Sequence, residues 1–396
     1  MYSSAWRNQT MNKSVKLPTD TRIGVIGGGQ LGKMLIEASR PWNVKYTVLE
    51  NDADCPASSV ADKVIVGGLK DAESIRKLAS VCDVLTYEIE HINSDVLLEL
   101  EQSGKTVIPS ARALKTIQDK GIQKLFYREH AIPTADFAIC NNPADLAQAI
   151  APFDGEKVVV KQRTGGYDGK GVDIVAKAEI ESGIYQSPGP CVAEFFHRDI
   201  TEYSVIVAAD RNGNVVTYPL IEMYFNPQSN LVEFLFSPAE TTADLEADCR
   251  SIAMRAVKAL QSPGLFAVEL FVTKNAEVLV NEIAPRPHNS GHHTIEGSYT
   301  GQFEQLNRIL LGLPLGNTEM VKPSAMINLV GAEGQMGFYK LKYTEELLSE
   351  PGVYVHLYNK KEIRPHRKMG HITVMADNLQ ELLEKAGKVR DWAVFE

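Results

Sequence analysis

The sequence predicts a chain of mixed α/β and α+β class: an N-terminal parallel-sheet domain, a two-lobed middle domain and a small β-rich C-terminal domain. Short apolar strands alternate with helical stretches as far as about residue 125, the pattern of a parallel sheet. Beyond about residue 130, strands separated by polar turns take over, and a long helix expected over 242–260 ends at Ser262-Pro263-Gly264. The expected division is a loose arm at 1–20, a first domain at 21–125, a middle domain at 126–325 with lobes at about 126–200 and 201–325, and a last domain at 326–396. At 396 residues, 44% hydrophobic and 23% charged, the chain can bury several cores, which excludes disorder, collagen and coiled coil as its main state. A net charge of −9 argues against a nucleic-acid or membrane coat. No apolar run approaches the ~20 residues that span a bilayer, and the polar N-terminus has no secretory pattern. Met11 is a second possible start. The five cysteines are scattered without a CxxC pair, as expected of reduced thiols in a cytoplasmic protein.

The first strand, Ile23-Gly24-Val25-Ile26, runs into Gly27-x-Gly29-x-x-Gly32 and a helix expected over 31–39. Strands are expected at 46–49, 63–66 and 83–86, with helices at 71–80 and 94–103. Glycines admit a phosphate close to the backbone, the helix N-terminus supplies unpaired N–H groups, and Glu50 stands where a ribose-binding acid would. A nicotinamide-dependent oxidoreductase is one reading. A turn that merely packs helix on strand is the other.

A second glycine loop follows the strand ending at Lys161: Gln162-Arg163-Thr164-Gly165-Gly166-Tyr167-Asp168-Gly169-Lys170-Gly171. Mobile N–H donors and cations in one flap suit a triphosphate; a solvated hairpin is the plain alternative. Further on, 265–272 and 278–283 read as a hairpin. A turn centred between Asn275 and Ala276 places Glu269 opposite Glu282, with Cβ atoms about 4.5–5.5 Å apart. Two carboxylates that close repel. A magnesium ion resolves the conflict, using one or two carboxylates plus nucleotide phosphates, and Asn281 offers a third oxygen. The loop Ala284-Pro285-Arg286-Pro287-His288-Asn289-Ser290-Gly291-His292-His293 is too polar for core. Arg286 can clamp an oxyanion and His288 can move a proton near neutral pH. The histidine spacing does not suit zinc.

The motifs Gly27-Gly28-Gly29-Gln30-Leu31-Gly32-Lys33-Met34, Lys161 to Gly171, Asn281 to Gly291 and Arg367-Lys368-Met369-Gly370-His371 together resemble the 5-(carboxyamino)imidazole ribonucleotide synthases of purine biosynthesis, which are ATP-grasp enzymes. The resemblance runs from about Arg22 to the C-terminus. It implies an ATP-grasp fold behind a pre-ATP-grasp domain, a homodimer, and ATP with magnesium (manganese as a substitute). It further implies ATP-dependent carboxylation of 5-aminoimidazole ribonucleotide by bicarbonate through carboxyphosphate. Lys120 and Lys161 would hold nucleotide phosphates under the flap Gly166, Tyr167, Asp168, Gly169, Lys170 and Gly171. Glu194, Phe195, Phe196 and His197 would form the adenine hinge, and Glu202 would take the ribose. Glu269 and Glu282 would bind the metal, with Asn281 and Glu282 beside the nucleotide. Arg286, His288 and Asn289 would form the bicarbonate site. Gln30, Leu31, Tyr167, Asp168 and one of Glu88 or Glu90 would meet the ribonucleotide.

The run from Lys360 to Lys368 carries five lysines and arginines in nine residues, a local anion site in an acidic chain. Lys361, Arg364, Arg367 and Lys368 are its candidates for the ribonucleotide phosphate; a solvated basic face is the alternative. Fungal relatives continue into a second carboxylase domain that this sequence lacks, so the stand-alone bacterial form is expected. The nearest rival is a formate-dependent glycinamide ribonucleotide transformylase, which carries Glu where this chain has Gln30. An oxidoreductase leaves the second loop and the facing glutamates unexplained.

Overall fold

The computed structural model describes residues 20–166, 171–225 and 231–396. The arm expected at 1–20 therefore lies outside the described residues except for Asp20. The first sheet contains β1 (Arg22–Ile26), β2 (Lys45–Glu50), β3 (Lys63–Val66), β4 (Val84–Tyr87) and β5 (Thr106–Val107), all parallel in the order β3-β2-β1-β4-β5. Helices cover both faces, so β1 and β4 are buried almost throughout and read as continuous apolar runs. Asp71 and Asn93 cap the helices Ala72–Val81 and Ser94–Gln102 by accepting from Ser74 N at 2.8 Å and Val96 N at 3.2 Å. Strand order reverses between β1 and β4, and the glycine loop sits at the carboxyl end of β1, at that switch point.

A second sheet of β6 (Phe137–Cys140), β7 (Lys157–Gln162), β8 (Val172–Ala176) and β9 (Cys191–Phe195) is antiparallel in the order β6-β9-β7-β8. The third has nine strands: β10 (Thr201–Ala209), β11 (Val215–Thr217), β12 (Ile221–Phe225), β13 (Val232–Ser237), β14 (Gly264–Val272), β15 (Val278–Ala284), β16 (Ser324–Val330), β17 (Val353–Leu357) and β18 (Lys368–Met375). Here β13 pairs with β16, so the last strands extend the middle sheet and the division expected at 325 falls inside a strand. The sequence of β16 explains this. Its Ala325, Ile327 and Leu329 pack under the helix Leu379–Trp392, while Met326 joins the core on the other face.

That other core spans the chain. Phe303, Leu306, Ile309 and Leu310 of the helix Gln302–Leu311 pack with Ile23, Leu35 and Tyr46 of the first domain. Burying each such side chain contributes about 1.5–3 kcal/mol. Polar contacts fix the match: Tyr46 Oη meets Asn307 Oδ1, and Asn307 Nδ2 donates to Leu35 O at 2.8 Å. The first domain is thus held rigidly against the large sheet, which fixes its glycine loop relative to the carboxylate hairpin.

Candidate active site

Glu269 and Glu282 are direct cross-strand partners on β14 and β15. The route to that register differs from the expected one. Near the turn Val272 pairs with Val278, which centres the turn on Asn275, one half-step off the expected centre. A bulge between Glu269 and Leu270, with Asn281 as the unpaired residue on β15, restores the pairing of the glutamates. The bulge has a second effect. Val278, Val280 and Ile283 all face the helix Ala243–Ala259, so Asn281 and Glu282 both turn to the opposite side.

Lys120, at the start of the helix Lys120–Glu129, contacts Glu282 directly, and His288 Nε2 lies 3.3 Å from Glu269 Oε1. Asp119 caps this helix by accepting from Gly121 N and Ile122 N, which sets Lys120 in place. Lys120 holds the Glu282 carboxyl well below the usual range. Burial, then repulsion from Glu282 and Glu202, pushes Glu269 up. Burial raises Glu202 to about 7. Glu269 and Glu282 thus face each other with Lys120 against Glu282, Glu202 near Glu269 and Lys161 near Glu202, and the opposed pair is where a divalent cation would fit. Asn281 Oδ1 accepts from Lys161 Nζ at 2.8 Å, which joins the phosphate-side lysine to the carboxylate hairpin. Among the described residues no group of three or more His, Cys, Asp and Glu is arranged for a metal. The three histidines diverge: His288 toward Glu269, His292 toward Gln302, and His293 toward Ser324.

Lys161, at the end of β7, sits 3.0 Å from Glu194 Oε2, and Lys124 lies 3.2 Å from the same oxygen. Lys124 was not legible as a site residue, although it stands one helical turn after Lys120. Burial lowers its pKa to about 8. Against its own burial, the two lysines hold Glu194 below the ordinary carboxylate range. Glu194 corrects the hinge reading: its backbone is paired with Phe137 and Val159 on either side, and Phe195 N donates to Asp136 O. Phe196 and His197 are the members of the expected hinge that lie beyond β9. Lys124→Met should destabilise the protein by about 3 kcal/mol, since it strips a buried carboxylate of a partner. Urea melts would read this. The difference should fade as acid protonates Glu194, whose depressed pKa contributes stability only above the carboxylate range.

Of the flap, Tyr167, Asp168, Gly169 and Lys170 lie outside the described residues; Gly166 and Gly171 flank them, and Gln162 N donates to Gly171 O at 2.8 Å. Arg163, at the flap's root, grips Asp119 through Nε and Nη2 at 2.9 and 2.7 Å. Its carbonyl accepts from Lys120 N, tying the flap's base to the lysine at the glutamates.

In the following loop, Arg286 Nε lies 2.8 Å from Glu90 Oε1. Asn289 Nδ2 donates to Asn328 Oδ1 at 2.9 Å and Asn289 Oδ1 accepts from Asn328 Nδ2 at 2.8 Å, which ties the loop to β16 and leaves the second amide hydrogen for an oxyanion. Glu88 is a correction. Its two oxygens accept from Gly29 N and Gly32 N, and Glu50 Oε2 accepts from Gly28 N at 2.8 Å. The chain's own carboxylates fill the cradle that a dinucleotide pyrophosphate would need, which removes the oxidoreductase reading. Glu90 remains beside Arg286. Gln30 opens the helix Gln30–Ala38, and Leu31 packs into the large core.

The basic run closes over the same edge. Lys361 pairs with Asp54, beside the Cys55 whose sulfur abuts Gly28, and Lys33 Nζ donates to Leu357 O at 3.3 Å. Within the run, Arg364 Nη2 lies 3.4 Å from Glu362 Oε2, and Arg367 Nη1 donates to Glu362 O at 2.8 Å. Lys368 opens β18, its carbonyl accepting from Lys360 Nζ at 2.6 Å.

Fold and site together define an ATP-grasp ligase. Family models match over residues 20–118 (ribonucleotide synthetase preATP-grasp domain), 125–303 (ATP-grasp domain) and 324–385 (phosphoribosylaminoimidazole carboxylase C-terminal domain). The N5-carboxyaminoimidazole ribonucleotide synthase of Bacillus subtilis is 36% identical, covering 95% of this chain and 96% of its own. The chloroplastic phosphoribosylaminoimidazole carboxylase of Vigna aconitifolia is 39% identical over 91% of this chain, which spans 65% of that relative's length. The crystal structure of N5-carboxyaminoimidazole ribonucleotide synthetase from Thermotoga maritima is similar with a TM-score of 0.84 at 40% identity, covering 94% of this chain and 98% of that one. That of the Aspergillus clavatus synthase in complex with ADP and 5-aminoimidazole ribonucleotide has a TM-score of 0.85 at 32% identity, covering 95% and 99%. The chain belongs to the N5-carboxyaminoimidazole ribonucleotide synthase family.

Proposed function

We propose that this chain uses ATP to carboxylate 5-aminoimidazole ribonucleotide with bicarbonate, giving N5-carboxyaminoimidazole ribonucleotide, ADP and phosphate. The observation that carries it is the Glu269–Glu282 pair facing Lys120, with Arg286 and His288 on the loop that follows. Magnesium, held by Glu269 and Glu282, would withdraw charge from the terminal phosphates. Lys120 and Lys161 bind phosphate oxygens, and the flap shuts water out. Arg286, braced by Glu90, orients bicarbonate so that one oxygen attacks the γ-phosphorus while the bond to the β-phosphate oxygen breaks and ADP leaves. Carboxyphosphate then parts into CO₂ and phosphate. The ribonucleotide amine attacks the carbon and loses one proton, for which His288 and Asp168 are the candidate acceptors. We assign the ribonucleotide phosphate to Lys361, Arg364, Arg367 and Lys368, and propose a cytoplasmic homodimer. No helix among the described residues is long and apolar enough to cross a membrane.

Phosphate release with ATP and magnesium should depend on bicarbonate and couple to product once the aminoimidazole ribonucleotide is added. Release that instead requires glycinamide ribonucleotide and formate would overturn the proposal. Arg367→Ala and Lys361→Ala should each raise the KM for the ribonucleotide by about tenfold, the worth of one exposed charge-assisted contact. Steady-state kinetics should show the KM for ATP nearly unchanged.

A further inference from the structure

We propose that Gln302 is a positioning residue that holds the bicarbonate loop in register by gripping the peptide of His288 from both sides; this rests on the proposed role of His288 in carboxylation. Gln302 is the first residue of the helix Gln302–Leu311 and is fully buried. His288 N donates to its Oε1 at 2.9 Å, and its Nε2 donates to His288 O at 2.9 Å. A peptide N–H can only donate and a carbonyl can only accept, so these contacts fix which end of the amide is which. The second Nε2 hydrogen then points to His292 Nδ1 at 2.9 Å, which must be an unprotonated acceptor.

Both hydrogens of the amide are thus used on this loop. The helix start is itself pinned, because Gln302 N donates to Thr294 Oγ1 at 2.9 Å and that hydroxyl donates to Gly291 O at 2.6 Å. Packing agrees: a Cβ at Gly291 would come 2.5 Å from Gln302 Oε1, so the loop passes the amide at backbone distance. Beyond Gln302, the His292 ring lies 4.8 Å from that of His371 on β18, so the clamp also joins the loop to the strand that begins at Lys368. His288 reaches Glu269 from a backbone that Gln302 fixes, and a displacement of about 1 Å in such a group can cost 10²-fold in rate.

Gln302→Leu removes the clamp, and Gly291→Ala displaces it while keeping the amide, so a failure of the first to fold leaves the second. Both should lower kcat/KM for bicarbonate by about 10–100-fold with the KM for ATP within about twofold. His288→Asn should impair the same parameter, and adding Gln302→Leu to it should cost little more. In ¹⁵N spectra of the protein without nucleotide, His292 Nδ1 should be unprotonated, and Gln302→Glu should protonate it. Normal bicarbonate kinetics in both clamp variants beside an impaired His288→Asn would overturn this inference alone. A normal His288→Asn would overturn the reading beneath it. Equal losses toward ATP and bicarbonate, or a protonated His292 Nδ1 in the unmodified protein, would each overturn the clamp.

Discussion

Glu282→Gln is expected to lower turnover by about 10³-fold or more while leaving the fold intact. The substitution keeps size and shape but removes the charge that faces Lys120 and, in the proposed mechanism, the metal. It should also weaken the free protein near neutral pH. Glu282 has a depressed pKa in the folded state, so its contribution is present above the ordinary carboxylate range and is lost only as pH falls toward about 2. The variant should therefore melt below the parent at pH 7, with the gap closing in strong acid. Turnover measured across magnesium concentrations checks the first part; near-normal rates at saturating magnesium would refute the metal role.

Glu269→Gln should also abolish turnover, yet make the free protein more stable at alkaline pH. Burial and the neighbouring carboxylates raise the folded pKa of Glu269 to about 8. Between its unfolded value near 4.5 and about 8 the folded state holds a proton that the unfolded state has released, so stability falls as pH rises through that window. Glutamine removes that penalty. Melting curves of the nucleotide-free protein should coincide below about pH 4.5 and separate increasingly up to about pH 9, with the variant higher. The two glutamates are chemically identical and directly opposed, so opposite effects on stability would trace to the one lysine that sits against Glu282.

Much of the fold was legible because it is written in local pattern: the parallel strands of the first domain, the β7–β8 flap strands and the β14–β15 hairpin all fall where apolar periodicity and turns put them. The glutamate register came out right although the turn was placed half a residue off, because a bulge at Asn281 made up the difference and leaves no mark in composition. What local pattern could not carry was partner choice at long range. Glu88 looks like a site acid, but β4 brings it 59 residues back to Gly29. Asn289 carries a second duty that local pattern hides, because β16 supplies Asn328 as its partner. Lys124 and Gln302 take their meaning from partners elsewhere in the chain, the Glu194 carboxylate and the His288 peptide.

The union of β13 with β16 has a bearing on how the chain can be divided. Ending an expression clone just before Ser324 would not release a self-sufficient module. It would strip β13 of a neighbour and bare a ladder of amide and carbonyl groups, ready to zip onto another molecule. Anyone seeking a minimal nucleotide-binding fragment should keep everything from β16 onward, because those strands serve as the lateral seal of the whole catalytic sheet.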